Sequence, residues 1–203
     1  MTQEELKDTK CKIMFAARAL FAEKGFEGAS VRDIASSAQV NIAALNYHFT
    51  SKENLYQQVI KEIFLETSSK ISEHYKHNPN QKVSDLAIWI FRYFLEKEDV
   101  LRSTFKMFLS NHNSEENTCD KGEDQFGPPG GMVLAVAVQK EVGRKVSEPD
   151  LFWSVKMIFT SVVHLSLMYS NHFCKLEHEM TYHTKEVLEA DIRRLVKVVL
   201  KDL

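Results

Sequence analysis

The stretch "NIAALNYHFTSKENLY", residues 41–56, decides how the chain is read. It opens on Asn41, a residue type that caps helix starts by offering its side-chain oxygen to free backbone N–H groups. Ile42, Leu45 and Phe49 follow at helical spacing as an inward stripe. That leaves Ala43, Ala44, Asn46, Tyr47 and His48 on or near the outer face. A helix that serves only a core has no use for so many polar tips at one end. Ser51 or Thr50, with Glu53, then opens another helix, and Lys52 falls in its first turn. A cation there opposes the helix macrodipole. An anion resolves the conflict, because a phosphate accepts both from Lys52 and from the free N–H groups of the helix start.

Upstream, the punctuation marks two more helices. From about Thr9 to Lys24 the residues Ile13, Ala16, Ala17, Leu20 and Phe21 share a face, and Gly25 ends the run as a C-cap. Ser30, with Asp33 three positions later, caps a short helix that turns Val31, Ile34, Ala35 and Ala38 inward and ends near Gln39. Two short helices joined by a tight turn predict a helix-turn-helix, whose second helix enters the major groove of DNA. In that pose Ala43 and Ala44 permit close approach and Asn46 offers an amide to an adenine edge. Tyr47, His48 and Lys52 suit phosphate oxygens, and Arg32 reaches a base or a phosphate. Ser30 and Asn41, at the two helix starts, complete the expected DNA-contact set.

The rest of the chain keeps helical spacing, with no alternating strand pattern bounded by turns, so the fold class is all-α. The fourth helix runs towards Ser72. Further helices fit Val83 to Leu95, about Asp99 to Ser110, Met132 to Lys145, Glu148 to Tyr169 and Thr184 to Lys201, with Pro79 and the Gly/Pro-rich segment 111–131 as the breaks. At 203 residues the chain has room for a substantial core, and its net charge of -2 excludes a surface that is basic all over. Cys11, Cys119 and Cys174 are odd in number and far apart, which reads as a reduced intracellular protein. No signal peptide opens the chain, and Ser154, Lys156, Ser161 and His164 interrupt its most apolar stretch, so no membrane span and a cytoplasmic location are expected.

The run "AARALFAEKGFEGASVRDIASSAQVNIAALNYHFTSKENLY", residues 16–56, resembles the DNA-binding domain of the tetracycline-repressor (TetR) family of bacterial regulators. The likeness covers roughly the first quarter of the chain. It implies a three-helix DNA-binding domain, here residues 1–56, and a larger helical domain, residues 57–203, that binds a small-molecule effector and forms a homodimer through its last two long helices. Such proteins usually repress and leave their DNA operator when the effector binds. Two positions depart from the family pattern: Gln39 stands where Gly often precedes Val, and Asn46 where an aromatic residue is common.

Beyond residue 60 no motif names an effector. Phe64, Trp89, Phe94, Phe108, Trp153, Met157 and Met168, with His164 as a polar anchor, are the candidates to line a pocket for an effector of apolar character. Core packing is the plainer role for each aromatic or Met, and a core or dimer-seam position for His164. The group His172, Cys174, His178 and His183 fits no standard zinc spacing, and no metal or cofactor is expected. Nucleophile elbow, H-E-x-x-H, phosphate-binding Gly loop and paired acid/base carboxylates are all missing, so a regulator is expected rather than an enzyme. A scaffolding dimer with an idle DNA domain, or catalysis by the C-terminal helices, are the other readings.

Overall fold

The structure, a computed structural model, describes residues 3–109, 126–170 and 184–203; of residues 3–6, 103, 104 and 106–109 it describes the backbone alone. Within them the fold is all-α, in nine helices and no strand: α1 (Gln3–Gly28), α2 (Val31–Ser37), α3 (Ile42–His48), α4 (Lys52–His77), α5 (Val83–Glu96), α6 (Glu98–Leu109), α7 (Gly131–Val142), α8 (Glu148–Ser170) and α9 (Lys185–Lys201). The chain divides into two compact units, one of Met1–Phe64 with Arg102–Ser110, the other of Leu65–Leu101 with Asn111–Leu203.

In the first unit α1, α2 and α3 pack on one another around Ile13, Ala17, Phe21, Ile34, Leu45 and Phe49. Gly25 interrupts α1 with φ 75, as its C-cap role requires. The Ser30 hydroxyl accepts from Asp33 N at 3.0 Å and caps α2. The Asn41 carbonyl accepts from Ala44 N at 2.7 Å and caps α3, and Ser51 Oγ accepts from Asn54 N at 3.0 Å and caps α4. Between α2 and α3 the chain turns through a left-handed residue, Gln39, at φ 55. Gln39 N donates to Ser36 O at 3.1 Å and Val40 N to Ala35 O at 3.0 Å, the two bonds of a Schellman turn. Glycine suits that position, and a side chain there costs roughly 1 kcal/mol.

In the second unit α8 packs against α5, α7 and α9, and α5 against α7 and α9. Phe91, Phe94 and Phe159 lie fully buried where α5 meets α8, Phe94 edge-on to Phe159 with ring centroids 6.0 Å apart. By length and composition alone α8 is apolar enough to cross a membrane, yet Val155, Ile158, Phe159, Val162 and Val163 are buried within this unit. Two ion pairs fasten α5 to α9: Arg193 to Asp85 at 2.6 Å and Arg92, through two nitrogens at 2.7 Å, to Glu189. Hydrogen bonding from Arg92 holds the Glu189 carboxyl below the usual carboxylate range. That bridge therefore contributes above the ordinary carboxylate pKa and is lost as pH falls through the lowered one.

Two connections in this unit are tighter than their composition suggests. The turn after Phe126 buries Pro128, Pro129, Gly130 and Gly131, although the whole of 111–131 reads as loop; residues 111–125 lie outside the described set. Gly130, at φ 70, donates its N–H to Ser68 Oγ at 3.1 Å, and a Cβ there would come within 2.7 Å of the Ile71 side chain. At the start of α5 the N-cap residue Lys82 makes no side-chain cap. Glu141, on α7, supplies it by accepting from Val83 N at 2.6 Å.

Three stability changes follow. Gln39→Gly removes the left-handed strain and should raise unfolding stability by up to about 1 kcal/mol. Gly130→Ala places a Cβ at a left-handed position against Ile71 and should lower it by more than about 1 kcal/mol. Glu141→Ala leaves the buried start of α5 uncapped and should cost about 1–2 kcal/mol. Urea unfolding of the three variants measures each; an unchanged midpoint for Glu141→Ala would show the cap to be dispensable.

Candidate nucleic-acid interface

The outer face of α3 is set by what the other helices bury. Leu45 is 1% exposed, with Ala44 and His48 half-buried beside it. Asn46, Ala43 and Tyr47 are exposed, Tyr47 by 72%. At roughly 100° per residue these three follow one another around the helix, opposite the buried side. The Ile42 side chain departs from the sequence expectation. It is 42% exposed rather than inward, because the buried side of α3 is centred on Leu45 and extends towards Ala44 and His48. Ala44 and His48 are accordingly less outward than their spacing suggested.

His48 lies edge-on to Tyr47, ring centroids 5.2 Å apart, and its Nε2 is buried with no hydrogen-bond partner among the described residues. A phosphate contact from this ring would therefore use Nδ1 or a turned ring. Ser30 and Asn41 engage their side-chain oxygens in the caps of α2 and α3. Arg32 is exposed in the first turn of α2.

Lys52 has a partner that its sequence position did not reveal. Its ammonium donates to Phe26 O at 3.0 Å and sits 4.2 Å above the Phe26 ring centroid. Phe26 follows the break at Gly25 and in turn packs near Phe21 and Tyr56. The carbonyl and ring thus account for a cation at the start of α4 without any external anion. Two of the three ammonium donors remain beyond the Phe26 bond.

The candidate effector residues are dispersed. Phe94 is fully buried in the core, and Trp89 is half-buried between His74 and Tyr93, with ring centroids at 4.1 and 5.6 Å. Phe64 and Met168 are half-buried. Trp153 and Met157, 47% and 37% exposed, share the outer side of α8 with the exposed His164, while Phe152 turns towards Phe126, with ring centroids 5.6 Å apart. The Phe108 side chain, Cys119 and the group His172, Cys174, His178 and His183 lie outside the described residues. Among the described residues no three His, Cys, Asp or Glu side chains come together to hold a metal.

Comparison with known proteins agrees with this geometry. Residues 13–59, which contain most of α1, all of α2 and α3 and the start of α4, match the family model for bacterial regulatory proteins of the tetR family. The negative transcriptional regulator IcaR of the biofilm operon icaADBC in Staphylococcus aureus is 25% identical over 184 residues, covering 88% of this chain and 94% of that protein. YttP of Bacillus subtilis, a probable transcriptional regulator, is 34% identical over 110 residues, 54% of this chain and 47% of its own length. A regulator structure from Shewanella sp. PV-4 shares the fold over 94% of this chain and 97% of its own, with TM-score 0.67 and 16% identity. Residues 13–59 are thus similar to the helix-turn-helix region of bacterial tetR-family regulators, and the all-α fold is similar to that of a solved regulator of that kind.

Proposed function

We propose that this chain is a repressor that binds a near-palindromic DNA operator as a homodimer and releases it when a small molecule of apolar character occupies the helical region after residue 56. The observation that carries the reading is the outward arc of α3, on which Asn46, Ala43 and Tyr47 stand exposed while Leu45 anchors the opposite side. An exposed arc of an amide, a small residue and a phenol has the reach and the donors for a major groove. Repression is the role of the IcaR relative, a negative transcriptional regulator.

Residues 1–56 are assigned to DNA and 57–203 to the effector and to dimerisation. The exposed Trp153 and Met157 on α8 and Val198 on α9 support a seam between copies, since apolar side chains of that size gain by being covered. His164, on the same side of α8, belongs to that seam rather than to a pocket. Two subunits present their α3 helices about one DNA turn, roughly 34 Å, or more apart. An effector that prefers a conformation with another spacing releases DNA, to the extent of its differential affinity for the two conformations. Working on DNA, the protein acts in the cytoplasm.

Two substitutions test the division between positioning and reading, with affinities measured across a salt series on a selected operator and on random duplex. Asn46→Ala should weaken operator binding by about 1–3 kcal/mol and leave random DNA nearly unchanged. Lys52→Ala should weaken both and reduce the salt slope by about 0.9 per subunit. Equal losses for Asn46→Ala on the two duplexes contradict its assignment as a reader; an unchanged slope for Lys52→Ala makes it a purely internal fastener of α1.

A further inference from the structure

Ile42 is the first residue of α3 and is 42% exposed, in a helix whose buried side is held by Leu45. It stands four residues before Asn46, so the two side chains lie one helical turn apart and roughly 40° apart around the axis. The exposed arc of α3 thus runs Ile42, Asn46, Ala43, Tyr47 and begins with a branched aliphatic group. Such a group makes no hydrogen bond, and it gains when an apolar partner takes its surface out of water. Within the major groove the apolar group on offer is the C5-methyl of thymine; the other base-edge groups are donors and acceptors. Ala43, which follows Asn46 on the arc, is small enough not to hold the helix away from the groove.

We propose that Ile42 is a specificity-determining residue that packs on a thymine C5-methyl in each half-site, next to the adenine read by Asn46. The inference rests on the DNA-binding reading above. One helical turn is about 5.4 Å, and base pairs rise by about 3.4 Å, so the two contacts fall on neighbouring base pairs or one step further. Each half-site then contains, within about two base pairs of the A·T pair read by Asn46, a second A·T pair whose thymine methyl meets Ile42.

The test replaces the thymines of a selected operator one at a time with deoxyuridine, which removes the methyl and leaves every hydrogen-bonding group in place. At one position in each half-site the wild type should lose about fourfold in affinity, the worth of one buried methyl. Ile42→Ala should bind the thymine duplex more weakly and show no further loss with deoxyuridine at that position. Ile42→Val should keep the methyl sensitivity. Melting temperatures equal to the wild type establish that both variants are folded. An operator with no second A·T pair within about two base pairs of the one read by Asn46, a wild type indifferent to every methyl, or an Ile42→Ala protein as methyl-sensitive as the wild type each overturns the assignment while leaving the regulator reading intact. Failure to select any operator overturns both.

Discussion

The direction in which α3 leaves α2 depends on one residue held in a left-handed conformation. Gln39 at φ 55 lets two backbone N–H groups turn back onto the last turn of α2, and only then does Asn41 arrive where it can cap α3. A side chain other than glycine tolerates this at a cost because the turn is fixed from both ends. Ala38, Leu45 and Phe49, all buried, hold the two helices against α1. Everything that the outer face of α3 presents is downstream of that geometry: a different turn would rotate Asn46 and Tyr47 away from whatever they meet.

Lys52 shows how one residue serves the fold and the surface together. Its bond to Phe26 O ties the end of α1 to the start of α4, and the Phe26 ring beneath it joins a cluster with Phe21 and Tyr56. The macrodipole conflict at the start of α4 is relieved inside the protein. A phosphate is therefore an additional partner rather than a necessary one, which is why the salt dependence of binding, not its strength alone, distinguishes the two roles.

What the sequence discloses here is chiefly the punctuation. Ser30, Asn41 and Ser51 cap helices where their chemistry requires it, each with its backbone donor in the structure, and Gly25 kinks α1 at a positive φ. The orientation of a short helix is harder to read. With seven residues in α3, the choice between Ile42 and His48 as the flank of the buried side turns on tertiary neighbours that periodicity does not contain. Partners far apart in sequence are equally invisible: Glu141 capping α5, Lys52 meeting Phe26, and Ser68 receiving Gly130 leave no mark on the local pattern. The Pro-Pro-Gly-Gly turn looked like a loop by composition, and it is buried because its glycines allow an approach to Ile71 and Phe126 that no side chain would permit.

The role proposed for α3 is to read DNA with its outward arc, in two copies related by symmetry. Selection of duplexes from a random library by the purified protein, at near-physiological salt where non-specific binding is weak, tests it most directly. Enrichment of a near-palindrome whose half-sites are centred a DNA turn or more apart is expected. Absence of enrichment, both for the protein as purified and after denaturing, stripping of any bound molecule and refolding, would contradict it.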